Sequence, residues 1–157
     1  MRLNPLVLDL WVFRRRAGAP EYLVLHASAA KAARHFGGGR FWQVPSGVFA
    51  PDESVPAAAE RLLAPYGLPA RAVWAAEWSY TIFNRRFAEI QIVTVYAVET
   101  DDAATPRLDP EEHAEHAWLP FEEALARVHY RGLKDGLRSV REYVTGPDAA
   151  APELRLR

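Results

Sequence analysis

The sequence predicts an α/β fold in which a mixed sheet is layered with helices. Apolar, strand-like segments precede and follow a central amphipathic helix: residues 6–13, 22–26, 72–82 and 87–99. Two further helices are predicted near the end of the chain, over residues 121–128 and 133–144. Strands on both sides of a helix, with more helices at the end of the chain, are typical of a layered α/β sandwich.

The first two strands are predicted to form a hairpin. Residues 6–13, LVLDLWVF, contain Asp9 as their only charge, which suits a strand buried on both faces. Gly18 and Pro20 mark a turn before the second strand, YLVLH at residues 22–26.

A glycine-rich connection follows this hairpin. Residues 28–40, SAAKAARHFGGGR, begin with helix formers and end in Gly37, Gly38 and Gly39. Glycine runs can cradle a phosphate, but this one lacks the Lys-Ser or Lys-Thr of a P-loop and does not join a strand to a helix start. We predict a flexible connection, which can still form a rim beside a pocket.

The central helix has clear start and stop signals. Residues 41–47 read as a short strand and a turn, and Ser54 can accept a hydrogen bond from the first turn of a helix. The helix is predicted from about Val55 to Ala64, where apolar residues recur at spacings of three and four. Pro65 and Gly67 end it.

The second half of the chain is predicted to add two long strands, a short one and a tail. The strands over 72–82 and 87–99 are joined by Asn84, Arg85 and Arg86, and the short strand covers 114–119. A single domain over residues 1–145 accounts for these elements. Residues 146–157, rich in alanine, proline and charge, are predicted to be frayed.

Composition excludes several classes of function. The chain has 157 residues, enough to bury about two thirds of the surface of its unfolded form. It has no cysteine, so disulfides and thiolate metal sites are excluded. With 19 basic and 20 acidic residues the formal net charge is -1, and no segment could span a bilayer. We expect a cytoplasmic protein that binds neither nucleic acid nor membrane.

Residues 41–68, FWQVPSGVFAPDESVPAAAERLLAPYGL, resemble the box of the Nudix hydrolases. That pattern is Gly, five residues, Glu, seven residues, then Arg-Glu-aliphatic-any-Glu-Glu-any-Gly-aliphatic. Gly47 and Glu53 match its first half, and Gly67 with Leu68 resembles its end. The late segment EEHAEHAWLPFEEAL is also similar to family members, especially the dihydroneopterin triphosphate pyrophosphatase branch.

The resemblance implies a fold and a chemistry. Nudix proteins fold as a mixed sheet between helices, and their box binds divalent metal together with the diphosphate of a nucleotide derivative. Glutamates on the box helix converge on Mg²⁺ or Mn²⁺, which help to activate water for phosphoanhydride hydrolysis. Gly47 and Gly67 are expected to be structural parts of the box.

The acidic second half of the pattern is absent, and two alignments are open. Counting forward from Gly47 puts Arg61 on the box arginine. The box glutamates then fall on Leu62, Pro65 and Tyr66.

Counting back from Gly67 instead puts Glu60 on the box arginine and implies a one-residue deletion near Val55. The box glutamates then fall on Arg61, Ala64 and Pro65. Neither alignment retains a metal-binding glutamate on the helix.

Other residues can replace the missing groups. Glu53, Glu60 and Glu112 are candidate metal ligands, and Glu60, Glu112 and Glu115 are candidate catalytic carboxylates. Each also has a plainer role: Glu53 as a partner of the box arginine, Glu60 as solvated surface, and the other two in a polar loop before the last strand. Arg61 is a candidate phosphate-binding residue, because a guanidinium can act as a fixed counter-charge.

Aromatic residues in the second half are candidates for stacking a nucleobase. Trp78, Tyr80 and Phe83 are the residues proposed for this substrate-binding role, with core packing as the alternative.

Two functions remain open from the sequence, with surface association as a third. The chain can be a Nudix enzyme that hydrolyses a nucleoside triphosphate or diphosphate-linked compound with Mg²⁺ or Mn²⁺. It can also be an inactive Nudix domain that binds a nucleotide or related anion as a sensor or interaction module. A homodimer through the strand containing Val93, Val95 and Tyr96 is the association considered.

Overall fold

The computed structural model describes all residues, 1–157, as a seven-stranded mixed sheet with helices on both faces. The strands are β1 (Arg2–Arg16), β2 (Ala19–Ala27), β3 (Trp42–Gln43), β4 (Ser46–Val48), β5 (Ala72–Asn84), β6 (Glu89–Glu99) and β7 (His113–Leu119). The helices are α1 (Ala29–His35), α2 (Val55–Leu63), α3 (Phe121–Arg127) and α4 (Arg131–Val140). None of these helices has the length and apolar character needed to cross a membrane.

The long strand β1 is the centre of the sheet. Along one edge it pairs in parallel with β6, from Arg2 opposite Glu89 to Phe13 opposite Glu99. Its other edge is shared, because residues 7–9 pair with β4 and residues 13–16 pair with β2, both antiparallel. The strand order is β3-β2-β1-β6-β5, with β7 on the outer edge of β2. The predicted hairpin of the first two strands is confirmed.

Alternate side chains of β1 enter two separate cores. The odd-numbered residue Trp11 packs in the cluster that contains Leu137 of α4. The even-numbered residues of the segment 8–12 pack in the cluster that contains Leu63 of α2. The sheet therefore carries α2 on one face and α3 and α4 on the other, which confirms the predicted α/β sandwich with a mixed sheet.

Helix α2 begins and ends close to the predicted residues. The Ser54 hydroxyl accepts a hydrogen bond from the Ala57 amide at 3.4 Å, and Pro56 lies in the first turn, where its missing donor costs nothing. After Leu63 the chain tightens into a short 3₁₀ turn, Ala64–Tyr66. Gly67 then adopts a φ of 68°, a left-handed conformation that favours glycine.

The end of the chain is docked on the sheet, although a frayed tail was predicted from residue 146. The Leu156 amide donates a hydrogen bond to the Val73 carbonyl at 2.8 Å. The backbones of Arg155 and Trp74 form an isolated antiparallel β-bridge. Strand β5 lies at the edge of the sheet, so its outer backbone groups are available for this pairing. Composition carried no signal for it, because the contact is made by backbone groups rather than by an apolar segment.

Strand β6 is not available as a surface for association. It lies between β1 and β5, so both of its backbone edges are paired. Val93 and Val95 are each only 2% exposed, because they pack inside the protein. Val93 and Val95 therefore cannot contribute to a dimer surface, and a homodimer stays a prediction.

Candidate functional site

The main cavity of the protein, about 540 Å³ in volume, opens on the α4 side of the sheet. Its walls come from β1, β4, β5 and β6, from α1 with the glycine-rich loop that follows it, and from the start of α4. The volume lies within the range of about 300–1,000 Å³ that is usual for small-molecule sites. The lining includes Val7, Asp9, Lys31, His35, Phe36, Phe41, Ser46, Tyr80, Phe83, Arg85, Phe87, Gln91, Glu112 and Tyr130.

A carboxyl and a phenol, Asp9 and Tyr80, meet at the floor of this cavity. The Tyr80 hydroxyl donates a hydrogen bond to Asp9 Oδ2 at 2.5 Å. Gly132, at the start of α4, makes room for the phenol, because a Cβ there would overlap the Tyr80 ring. No protein group hydrogen-bonds to the second oxygen, Asp9 Oδ1, and this atom is not among the fully enclosed polar atoms. It is therefore open to the cavity.

Burial changes the protonation of this carboxyl. Asp9 is only 5% exposed, and desolvation raises its pKa to about 7, against the opposing effect of the Tyr80 hydrogen bond. Burial and the neighbouring carboxyl raise the pKa of Tyr80. Asp9 is thus a group of the cavity whose protonation changes near neutral pH. The sequence marked it only as the single charge in an apolar strand, and its role in the site was missed.

Aromatic side chains and the glycine-rich loop form the rim. Phe36 and Phe41 flank the three glycines, and Phe83 and Phe87 lie on the opposite side at the β5–β6 turn. Phe83 is 54% and Phe87 is 48% exposed, so both rings can still cover a ligand. This arrangement provides apolar faces for a flat ring system.

Arginine residues of the β5–β6 turn extend over the glycine-rich loop. A Cβ on Gly37 would lie 2.7 Å from Arg85 Nη1, so the guanidinium rests directly on this loop. Gly37 and Gly38 have φ values of 61° and 93°, which favour glycine. The loop is thus a rim beside the pocket, as the sequence analysis allowed, and its close approach by Arg85 requires a residue without a side chain.

The rim is electropositive. Burial lowers the pKa of His35, and the neighbouring cations Arg86, Lys31 and Arg34 lower it further. Glu112 compensates part of this charge: it accepts from Arg34 Nη2 at 2.7 Å and lies 3.4 Å from Lys31 Nζ. Arg85 and Arg86 form no ion pair with any carboxylate within the protein. These arginines are available to an anion.

The pairing of Glu53 with Arg61 favours one of the two alignments of the box. Arg61 Nε and Nη2 each donate to a different oxygen of Glu53 at 2.7 Å, and Nη2 also donates to the Val48 carbonyl at 2.9 Å. The Arg61 bond, followed by one from the Ala50 amide, lowers the pKa of Glu53 to about 2. The resemblance implies such a pair between Glu53 and the box arginine, so the contact favours the alignment counted forward from Gly47, in which the chain is shortened at the end of α2.

The same alignment places apolar residues where the pattern has glutamates. Leu62 packs against Gly47, where a Cβ would overlap its side chain. Pro65 and Tyr66 lie in the 3₁₀ turn after α2. Mg²⁺ and Mn²⁺ require several oxygen ligands, and no group of three or more acidic or histidine side chains in the structure could hold a metal ion. The residues present do not fit the divalent metal of the family.

The predicted carboxylates are dispersed rather than brought together. Glu53 is held by Arg61, and Glu60 pairs with Arg157 on the α2 side. Glu115 lies 3.8 Å from His26 Nδ1 on the edge formed by β2 and β7. Among the predicted carboxylates, Glu112 alone lines the main cavity.

The predicted substrate-binding residues are also divided. Tyr80 and Phe83 line the main cavity, whereas Trp78 borders a separate, shallow hollow of about 280 Å³. A bulge between Ala75 and Ser79 turns Trp78 away, although strict alternation would put it on the same face as Tyr80. Arg61 lies on the α2 side and does not line the cavity.

Comparisons with known proteins agree with this architecture. Among solved structures, a Listeria monocytogenes protein assigned as a NUDIX hydrolase has a TM-score of 0.73 at 18% identity, covering 94% of this chain and 99% of that chain. The NUDIX domain of Shewanella oneidensis NrtR, solved with ADP ribose, has a TM-score of 0.66 at 16% identity, covering 90% and 89%. E. coli dihydroneopterin triphosphate pyrophosphohydrolase has 0.64 at 12% identity, covering 94% and 99%. At these identities the likeness shows the fold alone.

Sequence comparison identifies the family. No curated protein matches the chain significantly. The NUDIX domain family, however, matches residues 7–140, which is most of the chain and includes β4, α2 and the walls of the main cavity. The predicted resemblance is confirmed, and the chain belongs to the NUDIX domain family.

Proposed function

We propose that this protein is a Nudix domain that binds a phosphorylated nucleoside derivative without metal-dependent hydrolysis, as a sensor or interaction module. One observation carries the proposal: Leu62, Pro65 and Tyr66 occupy the positions of the box glutamates once Arg61 is paired with Glu53. Without those carboxylates the helix cannot concentrate the charge that a divalent metal requires.

The main cavity supports ligand binding. It combines aromatic rings that can stack a base with unpaired guanidinium groups that can bind a phosphate. We place the phosphate near Arg85 and His35, where neighbouring cations already lower the pKa of the histidine. The base then lies between the rim and the floor at Tyr80. Such a site uses fixed cations in place of a metal.

ADP ribose is the first ligand to test. The Shewanella NrtR domain of the same fold was solved with this compound. It contains a diphosphate and a flat base, which match the cationic rim and the aromatic walls of the cavity. ADP carries the same diphosphate without the second ribose, and ATP adds a third phosphate group.

The test is calorimetric titration with ADP ribose, ADP and ATP in EDTA. We expect heat of binding without metal, and at least a tenfold loss of affinity in Arg85→Ala because a charge-assisted hydrogen bond contributes roughly 1.5–3 kcal/mol. Arg16→Ala is the matched control, since Arg16 is an exposed arginine at the β1–β2 turn, away from the cavity. Absence of binding at millimolar ligand would refute the proposal.

The competing hydrolytic function has its own assay. Phosphate and pyrophosphate release is measured with the same ligands and with dinucleoside polyphosphates, in Mg²⁺ or Mn²⁺ against EDTA. We expect no release above the EDTA background. Metal-dependent release that falls in Glu112→Gln would overturn the proposal and establish a relocated metal site, because Glu112 is the predicted carboxylate that lines the cavity.

A further inference from the structure

We infer that Asp9 and Tyr80 form a subsite that selects ligands whose nucleobase carries an exocyclic amino group. The inference rests on the proposed function, since the cavity must first accept a nucleoside derivative. It specifies the class of base that the floor of the cavity recognises, and the protein atom that makes the contact.

The geometry leaves one acceptor for a ligand. Tyr80 holds Asp9 Oδ2, and Gly132 allows the phenol ring to pack closely at the start of α4, so the orientation of the carboxyl is fixed. Oδ1 has no protein partner, in a residue that is only 5% exposed. Because Oδ1 opens on the cavity, a ligand N–H can donate a charge-assisted hydrogen bond to it.

The chemistry of this acceptor distinguishes amino from oxo substituents. An amino group of adenine, guanine or cytosine can donate an N–H to Oδ1. Above its pKa of about 7 Asp9 is ionised, so a carbonyl oxygen at the same place would bring two acceptors together and leave both unsatisfied. Sites built to hydrogen-bond a ligand group discriminate strongly against analogues that lack it.

Gln91, a second polar residue that lines the cavity, is held by a contact within the protein. Gln91 Nε2 already donates to Glu89 Oε1 at 2.9 Å, so its amide is oriented by that contact. Lys31, His35, Arg85 and Glu112 lie at the α1 and β5–β6 rim, where they face the phosphate end of the ligand. Base selection and phosphate binding are thus assigned to different ends of the cavity.

The test is titration in EDTA at about pH 8.5, where Asp9 is ionised, with three pairs of nucleotides that differ at an amino position: ADP with IDP, GDP with IDP, and CDP with UDP. In the native protein we expect the amino-bearing member of at least one pair to bind tenfold or more tightly. In Asp9→Asn that preference should fall below about threefold or reverse, because a neutral amide can turn an N–H donor towards the ligand. Tyr80→Phe is the second variant, and it should weaken the preference by releasing the carboxyl.

Glu112→Gln is the matched control, a carboxylate-to-amide change in the same cavity but at the rim. It should change the affinity for both members of a pair equally. Equal binding of all pairs by the native protein, or an unchanged preference in Asp9→Asn and Tyr80→Phe, refutes the inference and leaves the proposed function intact. If no nucleotide binds at all, the proposed function fails and the inference fails with it.

Discussion

Replacing Asp9 by asparagine should stabilise the protein in alkaline solution and have little effect in acid. Desolvation raises the pKa of this carboxyl from 3.8 to about 7, so the folded protein favours its neutral form. The stability that comes from a neutral Asp9 is fully present below pH 3.8 and is lost as the pH rises through about 7. The substituted amide stays neutral throughout, and its oxygen can still accept the Tyr80 hydrogen bond.

The size of the effect follows from the shift. The pKa of Asp9 is raised by about three units, and one unit corresponds to about 1.4 kcal/mol. Above pH 7 the unfolding free energies of the native protein and of Asp9→Asn therefore differ by at most about 4 kcal/mol. Water in the cavity reduces this figure, because Oδ1 opens on it. We expect a gain of about 2 kcal/mol from the removal of the buried charge.

The assay is urea denaturation of the two proteins at intervals from about pH 4 to about pH 8, because the linked protonation falls between pH 3.8 and about 7. His35 and Glu112 line the same cavity, so the measured quantity is the difference between the proteins at each pH. Asp148→Asn, a change at an exposed carboxylate, is the control and should give a flat difference. A flat difference for Asp9→Asn, or a loss of stability at high pH, would refute the reasoning.

Three further changes test other parts of the structure. Glu53→Gln should lower the melting temperature at neutral pH, and this deficit should shrink as the pH falls from 4.5 towards about 2. The reason is that the pair with Arg61 stabilises the fold only where the Glu53 carboxyl is charged. A deficit that stays constant with pH would contradict this. Gly132→Ala should cost about 1–3 kcal/mol in urea denaturation, since its methyl group would overlap the Tyr80 ring, and an unchanged midpoint would show that the ring can move. Removal of residues 152–157 should lower the melting temperature by exposing the edge of β5, whereas a frayed tail would leave it unchanged.

The sequence predicted the fold well because its main signals are local. The continuous apolar run of β1, and the Ser54 and Gly67 signals around α2, require no knowledge of distant contacts. The site is different. Asp9 meets Tyr80 across 71 positions of sequence, and only the registers of β1, β6 and β5 bring the two together. A single charge in an apolar strand is a signal that could have identified Asp9 as a site residue. No signal in the sequence pairs Asp9 with Tyr80.

Trp78 shows why alternation alone fails at this site. Trp74 and Tyr80 both belong to the α4 side of the sheet, and Trp78 has the same parity. Ala75 pairs with Tyr96 and Ser79 pairs with Thr94, so β5 has more residues between these two pairs than β6 has. Glu77, in this segment of β5, takes a φ of 54°. A bulge of this kind depends on the partner strand, so a single sequence does not reveal it.

The retained half of the box has a structural use that does not depend on metal. Through Arg61, α2 binds the Val48 carbonyl, and through Leu62 it packs on Gly47, so the helix holds β4 against β1 from one face of the sheet. On the other face, Ser46 and Val48 of the same strand line the main cavity. Glutamates at the end of α2 are not needed for this support. The absence of the acidic residues and the presence of the Glu53–Arg61 pair are therefore compatible in one molecule. The pair supports a wall of the main cavity, while Leu62, Pro65 and Tyr66 follow Arg61 at the end of the helix.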